Sequence, residues 1–214
     1  MALPQLSLRS LLWLVLVCGI TLAYVSNYRR MRIAESELKR LRVEIGFLES
    51  THPDELAAVR VPADEPLMWQ ARVRVPAKQR YRVAYSAVWR ESTSGPDWFA
   101  AQQLPEGESV VTIRVMKDPR DDQWRISTLV RHSGGTQRIG TVLPDELSAV
   151  FRGSHDVFSG GIGKETIVRP AGEKLRIFDE RYFSGSSLLL YGDRAPEADV
   201  VGVFVELQPD TGPL

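Results

Sequence analysis

Only one cysteine, Cys18, stands in the 214 residues, so the chain can close no internal disulfide and cannot build a Cys-rich zinc site. Histidine is almost as scarce. His52, His132 and His155 lie far apart with no i, i+4 or C-x-x-C companion, which leaves a metal centre without support. Asparagine occurs once, in Asn27-Tyr28-Arg29, and that is no glycosylation acceptor. Net charge is missing as well: 27 Lys and Arg balance 27 Asp and Glu. A protein that coats a polyanion carries a large basic excess, so no nucleic acid is expected as a partner. No motif asks for a cofactor. With 43% hydrophobic and 25% charged residues the composition is that of a folded chain, which excludes a disordered or collagen-like polymer. The length suits one ordinary domain plus an appendage.

The charge that exists is unevenly placed. Residues 1–50 hold seven basic and four acidic side chains, which leaves 20 basic and 23 acidic ones for the remainder. Behind an N-terminal stub (1–9), the 19 residues from Ser10 to Tyr28 carry no charge at all. As a helix this stretch spans roughly 28 Å, the thickness of bilayer hydrocarbon. Trp13, Tyr24 and Tyr28 lie toward its ends, where amphipathic rings settle at a lipid–water boundary. A cleaved signal peptide fits poorly, because neither Cys18-Gly19-Ile20 nor Thr21-Leu22-Ala23 is a small-x-small site. Leu16-Val17-Cys18 lacks the small residue a lipoprotein signal places before its cysteine. Nothing downstream is shaped to bury a helix that is apolar all round. The expectation is an uncleaved single-pass anchor that meets the lipid bilayer through residues 10–28. Arg29, Arg30 and Arg32 mark the following side as cytoplasmic, whereas a short stub before a large body favours export of that body. Export to the cell envelope is the reading adopted, against the charge rule.

Met31, Ala34, Leu38, Leu41, Ile45 and Leu48 follow at spacings of 3, 4, 3, 4 and 3, the a/d seam of a coiled coil over residues 29–50. For a parallel pair, Arg30 with Glu35 and Glu37 with Arg42 attract, and Glu44 with Glu49 repels. The seam predicts a homodimer through residues 31–49, helped by membrane confinement because it is under three heptads long. A lone amphipathic helix is the rival. Gly46 and Thr51-His52-Pro53 end the helix, and a linker with one short helix fills 51–65.

From residue 66 to 208 the apolar period becomes two. Trp69–Val75, Tyr81–Trp89, Val111–Val115, Trp124–Val130 and Val201–Leu207 alternate apolar and polar residues, with weaker runs at Ile139–Leu143, Leu175–Asp179 and Ser187–Tyr191. About eight strands, each with one wet face, predict a mainly β fold: an antiparallel β-sandwich or partly closed barrel. Residues 209–214 are a tail. Pro53-Asp54-Glu55-Leu56-Ala57-Ala58-Val59 matches Pro144-Asp145-Glu146-Leu147-Ser148-Ala149-Val150 at six of seven places, and both read as short helices opened by proline and acids.

Chemistry is hard to find. Gly163-Lys164 lies in the glycine-rich stretch 153–166, but Phe158 and Glu165 occupy the places where a P-loop needs Gly and Ser/Thr, so a surface loop is expected. His155, Asp156 and Ser159 have the residue types of a hydrolase triad, but Ser159 has only half of a nucleophile elbow. No catalytic residue is assigned. Arg72, Arg74, Lys78, Arg80 and Arg82 form a basic strip along an expected hairpin, either a solvated face or a contact for lipid headgroups or acidic polymer. Trp98 and Phe99, in turn-rich sequence, are the candidate contact for a glycan or protein partner, or else fold back to cap the sandwich.

The chain resembles a group of membrane-anchored proteins of planctomycete bacteria. Ser7-Leu8-Arg9-Ser10-Leu11-Leu12 running into the apolar stretch, Trp69-Gln70-Ala71-Arg72-Val73, Pro76 to Arg82, and Glu165-Thr166 leading to Pro170-x-Gly172-Glu173 carry the likeness. The resemblance implies an envelope address and a β-rich fold with a scaffolding or binding role. It implies no activity and no catalytic residues.

Overall fold

No proline interrupts the chain from Leu8 to Glu44, and one α-helix, α1 (Leu8–Glu44), occupies all 37 residues. The computed structural model describes residues 8–49, 52–90, 93–153, 156–183 and 200–212. The chain divides into two units, Met1–Arg42 and Val43–Leu214. In the first, Leu11 to Val17 all face outward, and Leu11–Glu44 is the helix among the described residues that is long and apolar enough to cross a membrane. Tyr24 and Tyr28 stack at 6.5 Å, and the Arg32 guanidinium lies 5.1 Å from the Tyr28 ring, a ladder of i, i+4 neighbours.

The helix stops before the expected seam does. Gly46 takes φ +58, its N–H bonding Val43 O at 3.2 Å, and a Cβ there would sit 2.4 Å from Val61 Cγ2. Met31, Ala34, Leu38 and Leu41 are exposed on α1, and Ile45 is exposed beyond its end. Leu48 turns instead into a small cluster with Ala57, Val59 and Val168. The physical reason is burial: the β domain offers Leu48 an apolar seat that an isolated helix cannot. Glu49 N–H to Thr166 Oγ1 (3.0 Å) and Arg74 to Glu49 O (2.7 Å) fix this connector to the domain.

The second unit contains eleven strands among its described residues. They are β1 (Glu55–Val61), β2 (Met68–Val75), β3 (Tyr81–Trp89), β4 (Ala100–Leu104), β5 (Gly107–Lys117), β6 (Trp124–His132), β7 (Gly135–Val142), β8 (Asp156–Gly161), β9 (Ile167–Pro170), β10 (Leu175–Phe183) and β11 (Val200–Pro209). A helix, α2 (Asp145–Arg152), precedes β8. Two antiparallel sheets result, ordered β7-β6-β5-β2-β1-β9 and β4-β3-β11-β10-β8. The fold is mainly β, as the alternation predicts. Trp69, Ala71, Val73 and Val75 of β2, Tyr81, Val83, Tyr85 and Ala87 of β3, and Val203, Val205 and Leu207 of β11 meet in one core between the sheets. Tyr85 is fully buried and hydrogen-bonds Thr141 Oγ1 on the opposite sheet at 2.9 Å.

Four strands, β1, β4, β8 and β9, escape the periodicity, and the run Ser187–Tyr191 lies outside the described residues. The linker helix expected in 51–65 is strand β1. The glycine-rich loop expected at 153–166 contains strand β8, which pairs with β10 on one side only. The expected basic hairpin is not one, because β2 and β3 belong to different sheets. Arg72 and Arg74 therefore face away from the core on the six-stranded sheet. Arg82 lies outward on the other sheet, with Lys78 and Arg80 at the crossing between them.

Candidate functional site

Strand alternation sends every second residue of β3, β11 and β10 to the outer face of the five-stranded sheet. Arg82 bonds Gln208 (3.3 Å), Gln208 bonds Glu206 (2.9 Å), and Arg176 grips Glu206 through Nε and Nη2 at 3.1 and 2.9 Å. Arg181 holds Asp179 bidentately at 2.7 and 3.0 Å. Aromatic rings sit on this lattice. The Arg176 guanidinium lies 5.0 Å from Trp89 and 5.6 Å from Trp98, and that of Arg181 lies 4.8 Å from Trp89 and 5.8 Å from Phe158. Trp89 meets Phe204 edge-on at 5.6 Å. Guanidinium planes between rings combine cation–π attraction with salt bridges, so this face is ordered on both counts.

The segment carrying Trp98 and Phe99 is pinned at several points. Trp89 Nε1 donates to Thr93 O (3.1 Å), Asp97 N to Val88 O (3.1 Å) and Phe99 N to Tyr85 O (2.9 Å), while Arg90 pairs with Asp97 at 2.7 Å. Ser86 Oγ bonds Asp97 O as well. Phe99 packs against the main core, so its role is the capping one. Trp98 is half-buried and walls a cleft of about 780 Å³ with Lys78, Arg80, Arg82 and Lys174 around it and Gln208 and Asp210 beside them. On its other side a hollow of about 400 Å³ is bounded by Thr93–Asp97, Lys174, Arg176 and Glu206. At the cleft margin the buried Tyr81 hydroxyl donates to Glu173 O (3.1 Å) and accepts from Gly172 N (2.7 Å). Burial raises its pKa, Glu173 adds to the rise, and the Gly172 bond opposes it, so the phenol keeps its proton as a structural donor. A ring flanked by cations and amide groups suits a ligand with one flat apolar face and anionic substituents.

The sequence finds Trp98 and the Lys78–Arg82 cations but misses Lys174, Gln208 and Asp210. Their only signal is three-dimensional: pairing of β3 with β11 places Gln208 opposite Arg82 across 126 residues.

Ser159 is occupied otherwise. Its hydroxyl bonds Glu180, whose other carboxylate oxygen pairs with Arg60 at 2.6 Å across the two sheets. Arg60 also lies 5.5 Å from the Phe178 ring. Asp156 belongs to the opposite face of β8, that of Phe158, and His155 lies outside the described residues. Among the described residues no group of three or more His, Cys, Asp or Glu could hold a metal ion. No protein-family model matches the chain, and no curated protein matches it either.

Proposed function

We propose that the protein is a single-pass, membrane-anchored binding protein whose β-sandwich acts without catalysis at the cell envelope. The observation that carries this reading is the apolar window of α1, none of which is buried among the described residues. Such a stripe in water costs on the order of 25 cal/mol for each Å² exposed, and lipid removes that cost. Tyr24, Tyr28 and Arg32 form the ring-and-cation ladder that anchors a helix at a headgroup boundary. The same helix would suit a signal sequence, so the test must separate the two. Membranes carrying the full chain are washed with alkaline carbonate, and the intact mass of the retained protein is measured. Retention with residues 10–28 still attached is the expected result; release, or a mass showing cleavage near Tyr28, overturns the anchor. Exposed Met31, Ala34, Leu38 and Leu41 support at most a short, lipid-assisted pairing of two copies.

A second reading concerns the ligand. The Trp98 cleft, with Lys78, Arg80 and Lys174 exposed around the ring, favours an acidic saccharide stacked on Trp98. Full-length protein should be retained on immobilised polygalacturonate, and Trp98→Ala should weaken that retention about tenfold. Equal retention of both proteins, or none for either, removes the saccharide.

A further inference from the structure

The outer face of the six-stranded sheet holds a second, separate concentration of charge. Arg114 on β5, Arg125 on β6, Arg138 on β7 and Arg120 in the β5–β6 connection line a groove of about 530 Å³, and Arg131 of β6 completes the set. Asp118 is the only acid among the described lining residues. It is spoken for by Arg120 (2.7 Å) and Arg125 (3.3 Å). Glu65 pairs with Arg114 and Asp121 with Arg125 at the margin. Arg131 and Arg138 have no acidic partner among the described residues, and both are exposed. Thr136 lies opposite Arg131 and Arg138 opposite Leu129, which makes Arg131 and Arg138 diagonal neighbours on one face. Cross-strand diagonals are about 7–8 Å apart, so two like charges face solvent together with no counter-charge. Residues 51–214 are net acidic, with 20 basic against 23 acidic side chains, so the patch runs against its own background.

Between these cations the groove floor is mixed. Met68, Met116 and Leu129, half-buried, supply its apolar spots, and Gln70, Thr112 and Ser127 supply polar ones. This combination selects among anionic partners. A flat bilayer surface cannot reach the half-buried methionines and leucine at the bottom of a groove. A single-stranded nucleic acid is held largely by rings on which its bases stack, and none of the described lining residues is aromatic. All the lining cations are arginines, whose planar fork binds carboxylates bidentately where lysine offers a point charge. Methionine adapts its shape to aliphatic side chains. From β2 to β7 the groove crosses three strand spacings, roughly 14 Å, which an extended segment covers with about four or five residues.

We propose that this face is a docking groove for a short acidic peptide segment of a partner protein, with leucine-like side chains on Met68, Met116 and Leu129 and carboxylates on Arg131 and Arg138. The inference does not depend on α1 crossing lipid or on the Trp98 cleft. It is tested with the full chain in neutral detergent micelles, by fluorescence anisotropy of labelled Glu-Leu-Asp-Glu-Leu-Glu. Saturable binding is expected. Replacing both leucines of the peptide by glycine should weaken it about tenfold, as should Arg131→Glu with Arg138→Glu in the protein. If that double variant unfolds, Arg131→Gln with Arg138→Gln serves, with a loss of about fivefold. Absence of binding, equal binding of the glycine peptide, heparin bound more tightly than the peptide, or an unchanged affinity in a folded variant would each overturn the proposal.

Discussion

Gly202→Ala is expected to lower the stability of the β domain by at least about 3 kcal/mol, because a methyl group there has nowhere to go. A Cβ on Gly202 would lie 2.1 Å from the backbone oxygen of Glu180 and 3.0 Å from the Phe204 ring. The first neighbour is main chain of a hydrogen-bonded strand and cannot swing aside. β11 is central in its sheet, pairing with both β3 and β10, and its register against β3 shifts between Val201 and Phe204. On the β10 side of this stretch the Glu180 backbone passes so close to Gly202 that only a residue without a side chain permits the approach. Thermal unfolding of the full chain in micelles should show a midpoint roughly 6–12 °C below the parent for that loss. Gly163→Ala is the control, since a Cβ there meets nothing within 4 Å. It should stay within about 0.5 kcal/mol of the parent. Equal midpoints for the two variants would show that β10 and β11 can separate without penalty.

Removing one half of the Arg60–Glu180 pair should do comparable damage. Glu180 has 2% of its side chain exposed and Arg60 27%, so Glu180→Ala leaves a mostly buried guanidinium without its carboxylate and Ser159 without its acceptor. Loss of one partner in a buried pair costs about 3–5 kcal/mol, and the partial hydration of Arg60 puts the expected figure near the lower end, about 3. Replacing both partners, Arg60→Leu with Glu180→Leu, should recover most of that loss, because no orphaned charge remains and the neighbours include Phe178. A double variant as unstable as Glu180→Ala would mean that the polar link between the sheets, rather than charge balance, holds β1 against β10.

How much of this was readable in the amino acids depended on how each strand is buried. β2 alternates half-exposed and buried residues along its whole length, and it was found. β1 buries Leu56, Ala57, Ala58 and Val59 in succession, because the sandwich core covers one face and Leu48 with Val168 the other. A strand covered on both faces loses its period. Its sequence is also nearly that of α2, where Asp145, Glu146 and Leu147 follow Pro144 into a real helix whose Phe151 packs on Tyr182 at 5.1 Å. Two heptapeptides alike at six of seven places thus take different conformations, and the difference lies in their neighbours: β2 and β9 flank the first, and none pair with the second. Local preference is weak beside two ladders of backbone hydrogen bonds. β8 was hidden by its glycines, which an edge strand tolerates. The seam beyond Glu44 misled for a related reason, since spacing alone does not tell a partner helix from a pocket on the same chain. In the candidate site, Trp98 is visible as an aromatic in a turn, whereas Gln208 reaches it through strand pairing and Lys174 through its place just before β10.

The position of β11 also sets a timetable. As the polypeptide leaves the ribosome, β3 gains β4 on one edge at once, yet its other edge stays open until residues 200–209 have been translated. At usual elongation speeds that is a wait of roughly 5–20 s. Until then the second layer exists as two halves, β3–β4 and β8–β10, with no strand to join them. A nascent chain in that state is a natural client for chaperones, and stalled translation before Val200 would yield a sticky fragment destined for proteolysis.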